Sequence, residues 1–283
     1  MAAGASTRGP VEGLGLGTVP LTDGEYLKFR TLVKEATGIS LGDLKKALVM
    51  SRLSGRLRHR HVRSFTEYHK LLTDPSEGDE LQTAIDLITT NETSFFREPA
   101  HFEFLKSALR AMRPVPLPFR AWSAAASSGE EAYTLAMVLA DVLGQADWEI
   151  VGTDISTRVL ARARKALYPM ERAGPIPKDY LSRYCLKGNG KYEGMFLMDR
   201  PLRARVSFEQ ANLCQVLPNL GLFDVVFLRN VLIYFAPEEK RLAVEAVRRH
   251  LKPGGYLMIG HSETLAGISD RFQAIQPTVY RAL

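Results

Sequence analysis

At 283 residues the chain has room for one large domain or two unequal ones, and its 46% apolar and 24% charged residues are those of an ordinary globular protein rather than a disordered or fibrous one. No window approaches the ~18 consecutive apolar residues of a membrane span, and no apolar signal-peptide core opens the chain, so membrane insertion is not expected. The net charge of +6 is mild, and two cysteines, Cys185 and Cys214, build no disulfide framework and fit a reducing, cytoplasmic location.

Residues 1–20 read as a flexible leader, and residues 21–88 as wholly helical. Thr22 or Asp23 offers an N-cap, with Tyr26, Phe29 and Leu32 on one face of the helix that follows. From Lys45 to Ser64 there is no acid, while Lys45, Lys46, Arg52, Arg56, Arg58, Arg60 and Arg63 all fall inside. Arg52, Arg56, Arg60 and Arg63 recur at helical spacing as one stripe, apart from the apolar Leu48, Val49, Leu53 and Leu57. That stripe is either a solvated helix face or a docking surface for an acidic partner. Nucleic acid is not expected, because no aromatics are interleaved with the arginines.

Residues 89–118 carry "TTNETSFFREPAHFEFL" and a proline-rich run, and read as a linker and the start of a second domain. From Phe119 strands and helices alternate: "FRAWSAA", "WEIVGTD", "RVSFEQAN", "FDVVFLRN" and "GYLMIGH" are strands, with helices over "GEEAYTLAMVLADVLG", "STRVLARARKAL" and "PEEKRLAVEAVRRHL". Runs such as "DVVFL" suit strands buried on both faces of a mostly parallel, doubly wound sheet. Such a sheet opens a cofactor crevice at its C-terminal strand ends. Residues 168–205, with "GPIP" and "KGNGKYEG", break the rhythm and read as an insertion of short antiparallel strands.

Three features fall at the expected crevice. The small-residue loop "SAAASSG" opens a helix whose first turn holds Glu130 and Glu131. Those acids repel a phosphate and suit a cationic ligand group such as an ammonium or sulfonium, or they simply stabilise the helix through its dipole. The loop is neither a G-x-G-x-x-G fingerprint nor a P-loop. Asp154, 25 residues after Gly129, stands at a strand tip where an acid binds the two hydroxyls of a ribose, or caps the helix after it. Asn212, Arg229, Asn230 and Tyr234 follow two further strands, as ligand-facing groups or as turn formers. The histidines show no metal-ligand spacing, and no nucleophile elbow or "PPY"-like motif is present.

The ordered run "TTNETSFFREPAHF", "WSAAASSGEEAYTLAM", "GTDISTRVLARARKALY", "FDVVFLRNVLIYF" and "LKPGGYLMIGHSETL" resembles CheR-type chemoreceptor glutamate methyltransferases, from about residue 21 to the end. The resemblance implies a small all-helical N-terminal, substrate-docking domain (21–88) and a class I, Rossmann-like S-adenosylmethionine-dependent domain (119–283) with a small antiparallel β-subdomain. It implies methyl transfer from S-adenosylmethionine, leaving S-adenosylhomocysteine, to glutamate carboxylates on the acidic coiled-coil helices of cytoplasmic receptor regions. Carried over residue by residue, it implies cofactor contacts from Asn91, Thr93, Arg97, Glu131, Asp154, Asn212, Leu213, Arg229 and Asn230. Arg97 and Tyr234 stand near the methyl group and the incoming carboxylate, and the stripe Arg52, Arg56, Arg60 and Arg63 becomes the receptor-docking surface. A receptor tail peptide at the β-subdomain is a further expected partner, and a monomer the expected state. A methyltransferase with another substrate, or a non-catalytic adaptor that senses S-adenosylhomocysteine, are the alternatives.

Overall fold

The computed structural model describes residues 19–112 and 114–283, so nearly all of the expected leader lies outside the described residues. Four helices come first: α1 (Asp23–Thr37), α2 (Lys46–His59), α3 (Phe65–Leu72) and α4 (Gly78–Ile88). Thr22 and Glu25 close a reciprocal capping box at the start of α1, and Gly38, at φ 79°, ends it in the left-handed conformation. The helices bury a shared core of Tyr26, Phe29, Val33, Val49, Leu53, Leu57, Phe65, Tyr68 and Leu72. Phe29 lies edge-on to Phe65 at 5.8 Å and stacks on Tyr68 at 6.4 Å.

The second domain begins with a helix inside the segment read as a linker, α5 (Ala100–Ala111). Its Phe102, Leu105 and Leu109 are buried in the main catalytic-domain core. Then follow β1 (Phe119–Ala124), α6 (Glu130–Leu143), β2 (Trp148–Asp154) and α7 (Thr157–Lys165). The insertion holds β3 (Leu167–Pro169), α8 (Lys178–Tyr184), β4 (Cys185–Lys187), β5 (Met195–Met198) and α9 (Arg200–Arg203). The chain closes with β6 (Val206–Gln210), β7 (Phe223–Leu228), α10 (Pro237–Arg249), β8 (Leu251–Ile259), β9 (Phe272–Gln276) and β10 (Val279–Ala282).

The large sheet runs in the order β6-β2-β1-β7-β8-β10-β9. Its first five strands are parallel, and β10 is antiparallel to both neighbours. This is a doubly wound α/β fold, with all six residues of β7 buried as a central parallel strand requires. The closing hairpin of β9 and β10 had no counterpart in the sequence reading. The reason is physical: β9 is an edge strand with four of its five residues exposed, so it carries no buried apolar run. The insertion folds as a three-stranded antiparallel sheet, β3-β5-β4.

The helical domain sits over the C-terminal strand ends. Ser40 N–H donates to Tyr234 O at 2.8 Å, Ile39 bridges Phe235, and Lys34 pairs with Glu239 at 3.0 Å. On the other side Asp86 of α4 accepts from Thr157 Oγ1 (2.9 Å) and Arg158 N–H (3.2 Å) at the start of α7. Two separated contacts hold a roof above the crevice.

Candidate active site

The strand-end loops build the floor. Between β1 and α6 the chain turns through Ala125 (φ 68°) and Ser127 (φ 50°), left-handed conformations that non-glycine residues adopt at a cost in free energy. Gly129 opens α6 at φ 94°, and a Cβ there would lie 2.9 Å from Ala163 Cβ and 3.0 Å from Tyr168 Oη. Glycine is needed for both reasons. The loop is fixed from β2, where the Asp154 carboxylate accepts N–H bonds from Ser127 and from Ser156, each at 2.9 Å. Burial pushes the Asp154 carboxyl up, opposed by those N–H donors. Each oxygen keeps a lone pair for a hydroxyl donor.

The two acids of α6 separate. Glu130 is fully buried and turned away from the cleft, paired with Arg172 of the insertion and accepting from Ser128 Oγ at 2.7 Å. Glu131 faces the cleft, accepts from Ser123 Oγ at 2.7 Å and stands 3.3 Å from Arg229. Burial raises its carboxyl, offset in part by Arg229 and Ser123.

Arg229, at the end of β7, is a buried cation between two acids, with Glu98 at 3.2 Å and Glu131 at 3.3 Å. It lies over the rings of Phe102 and Phe227 and donates to Arg97 O, while its Nε and Nη1 are buried without a hydrogen-bond partner. Next to it Asn230 takes φ 56° and donates from Nδ2 to Glu98 at 3.2 Å. Burial works to raise the Glu98 carboxyl, but Arg229, Asn230 and His261 N–H outweigh it and hold it below the usual carboxylate range.

The "FFR" segment is clamped on both sides. Phe96 and Glu98, which flank Arg97, are both left-handed, at φ 51° and 55°. Phe95 is fully buried against Tyr168 (5.0 Å) and Phe196 (5.7 Å), and Phe96 packs on Phe102 and Tyr180. The phenylalanines therefore anchor the segment to the catalytic domain and its insertion. Arg97 is left at the cleft with one hydrogen bond among the described residues, from Nη1 to Glu92 O at 3.0 Å.

Asn91, Thr93, Arg97, Glu131, Asp154, Asn212, Leu213, Arg229, Asn230 and Tyr234 all line this one cleft, and Thr37, Ile39, Ser40, Leu41, Lys45 and Leu48 of the helical domain close its roof. Of the roof residues, only Lys45 and Leu48 were named from the sequence, as part of a basic run and of an apolar helix face, and neither was expected at the cleft. Asn212 differs from its expected use as a free amide: its Nδ2 donates to Ala36 O (2.9 Å) and its Oδ1 accepts from Cys214 N–H (2.9 Å). It ties α1 to the β6 exit.

The arginine stripe also needs correction. Arg52 and Arg56 of α2, and Arg60 at its C-cap, meet α4 and not open solvent, while Arg63 lies beyond the end of the helix. Arg56 forks onto buried Glu80 at 2.9 and 2.5 Å, Arg60 bonds Glu77 at 2.7 Å, and Arg52 caps the last carbonyls of α4 at Ile88 and Thr89. Only Arg63 of the four is exposed, beside Arg58.

Glu98 and Glu263 are site-forming residues that were not singled out, although both lie inside runs noted above. Nor did spacing foresee that Glu98, His101 and His261 bring three ligand-type atoms within 4.8 Å of one another. His101 and His261 are far apart in sequence, so no motif spacing could report it. Burial and then Arg229 push His101 down to about 4, so its ring is neutral.

The donor set fits S-adenosylmethionine. Asp154 suits ribose hydroxyls, the Glu131 carboxyl an ammonium or sulfonium, and the buried Arg229 Nε, which has no hydrogen bond among the described residues, a polar group of the ligand. Residues 91–281 match the CheR methyltransferase SAM binding domain, and residues 24–89 the CheR methyltransferase all-alpha domain. The chain is 38% identical to a chemotaxis protein methyltransferase of Escherichia coli strain K12, over 92% of this chain and 91% of that one. It is 39% identical to chemotaxis protein methyltransferase 2 of Pseudomonas aeruginosa, over 90% and 92%. A chemotaxis protein methyltransferase of Borreliella burgdorferi is 34% identical over 93% and 95%. The chain belongs to the CheR methyltransferase family, and its cleft is that of an S-adenosylmethionine-dependent methyltransferase.

Proposed function

We propose that this methyltransferase esterifies side-chain carboxylates of specific glutamates on chemoreceptors, in the cytoplasm. The observation that carries the reading is Arg97: a guanidinium held at the cleft by two strained neighbours, with most of its donors uncommitted. S-adenosylmethionine supplies an electrophilic methyl on a sulfonium. A glutamate carboxylate is already ionised at neutral pH, so the chain needs no general base. Its work is alignment and exclusion of water. Arg97 holds one carboxylate oxygen by a charge-assisted hydrogen bond and leaves the other free to attack. Tyr234, carried on the short turn Leu232–Tyr234, limits the approach from the opposite wall. Asn91, Thr93, Glu131, Asp154, Asn212, Leu213, Arg229 and Asn230 hold the cofactor in this reading.

The names of the relatives, all chemotaxis protein methyltransferases, support receptors as the substrate. Arg63, the exposed member of the basic stripe, and the exposed Arg58 of the same basic run are the docking cations, with the β-subdomain loop between β4 and β5 as the place for a receptor tail peptide.

The test is labelled-methyl transfer to receptors from the same cell, followed by base. A carboxyl ester releases methanol at high pH; label that survives base would overturn the reading. Transfer weakens as salt rises if exposed cations dock an acidic helix.

A further inference from the structure

Glu263 does not line the cleft, yet its carboxylate accepts three backbone N–H groups from the two turns that leave β7 and β8. Gly260 (2.6 Å) and Asn230 (3.0 Å) donate to Oε2, and Ile233 (3.3 Å) donates to Oε1. The residue is buried, and among the described residues only main-chain N–H groups donate to it. A carboxylate that accepts only main-chain donors, drawn from two loops, is a strap.

What it straps is the stretch from Arg229 to Tyr234. Asn230 sits there at φ 56°, a conformation that persists only where its surroundings over-determine it. Glu263 holds the Asn230 backbone while Glu98 holds its side chain. The turns are also nested: a Cβ on Gly260 would lie 2.6 Å from Asn230 Nδ2 and 2.9 Å from Glu263 Oε2. Tyr234 ends the strapped stretch, and its carbonyl carries the roof through Ser40.

We propose that Glu263 is a positioning residue, setting Asn230 and Tyr234 at the cleft wall by pinning the β7 turn to the β8 turn, without touching cofactor or substrate. The assignment deepens the reading of Asn230 and Tyr234 as site residues and rests on it. A carboxylate is required because it offers acceptors alone. Glutamine at 263 replaces one of the two acceptor oxygens by an NH₂ group, which then faces at least one of the same N–H donors, and aspartate is one methylene too short to reach both turns.

The experiment compares Glu263→Gln and Glu263→Asp with Leu265→Ala, which removes a buried apolar side chain near the strap without touching its hydrogen bonds. Affinity for S-adenosylhomocysteine is read by calorimetry, kcat and receptor KM by labelled-methyl transfer, and Tm by melting. Glu263→Gln is expected to bind S-adenosylhomocysteine ~10-fold more weakly and to lose ~10²-fold in kcat, the scale of a misplaced site group, with receptor KM within about 2-fold. Glu263→Asp moves the same way, while Leu265→Ala lowers Tm and keeps kcat. A Glu263→Gln enzyme with normal kcat and affinity overturns the proposal. So does a kcat loss in Leu265→Ala that matches it at equal Tm, or failure of both Glu263 variants to fold. If the wild-type chain esterifies no receptor, the functional reading falls, and S-adenosylhomocysteine affinity still decides on Glu263.

Discussion

Two groups of arginines show how differently one residue type is used in this molecule. In the helical roof, Arg56 and Arg60 turn onto α4 and meet Glu80 and Glu77, with the Tyr68 hydroxyl donating to the same Glu80 carboxylate at 2.6 Å. In the catalytic floor, Arg97 has one backbone carbonyl as its side-chain partner, and Arg229, though paired with Glu98 and Glu131, keeps its Nε without a hydrogen bond among the described residues. The roof arginines are satisfied by their own domain and hold it together. The floor arginines are held in place with donors left over. An arginine's role is therefore decided by what lies opposite it, and spacing along a helix reports only which residues share a face.

Breaking the roof pair has the largest expected effect on stability. Glu80→Ala leaves the Arg56 guanidinium and the Tyr68 hydroxyl without their shared partner, and is expected to destabilise the protein by about 3 kcal/mol. Chemical denaturation measures this; a loss below ~1 kcal/mol would mean the pair is as weak as a surface ion pair. The floor responds in the opposite sense. Arg97→Ala gives up one exposed hydrogen bond, so its stability stays within ~0.5 kcal/mol, while turnover falls by ~10²-fold or more. Near-normal methylation by that variant would sink the role given to Arg97.

The smallest effect is one of pH, and it separates the regions again. Burial alone would raise the Glu80 carboxyl, but Arg56 and Tyr68 hold it below its ordinary value of 4.5. Its stabilising contribution is complete above that value and is lost as pH falls through the depressed one. The Glu131 carboxyl is raised by burial, so its ionised form costs stability and is neutralised first on acidification. Cofactor affinity should accordingly begin to fall at a pH above 4.5, before the roof loses Glu80, and Glu131→Gln should remove that inflection. Calorimetry with S-adenosylhomocysteine across pH 4–7 reads both, and an unchanged profile in Glu131→Gln would take the ammonium-binding role away from that carboxylate.

Much of the floor was legible because its signals are local. A buried strand shows as an apolar run, the loop after β1 as a string of small residues, and the strand tips as Asp154, Arg229 and Asn230 placed where runs end. The insertion declared itself by its turn residues. Helix α5 and the closing hairpin were not read. The first lies in a segment that resembled a linker, and the edge strand β9 buries only Phe272. The roles of Glu98, Glu263 and the roof residues Thr37, Ile39, Ser40 and Leu41 were not legible either, because each acts on partners far away in the chain.

The sequence by itself determined the alternation of parallel strands and helices, the two-domain division and the cast of residues at the strand ends, since periodicity and turn chemistry are properties of neighbours along the chain. Only the tertiary structure decided which polar groups meet. It turned Glu130 inward onto Arg172 and Glu131 toward the cleft, though the two are adjacent on one helix. It spent the basic stripe on α4, and engaged the Asn212 amide at the domain seam. Burial is what makes those choices binding: an unpaired polar group inside a protein costs far more than one in water, so each buried charge is fixed by a partner the linear sequence does not name.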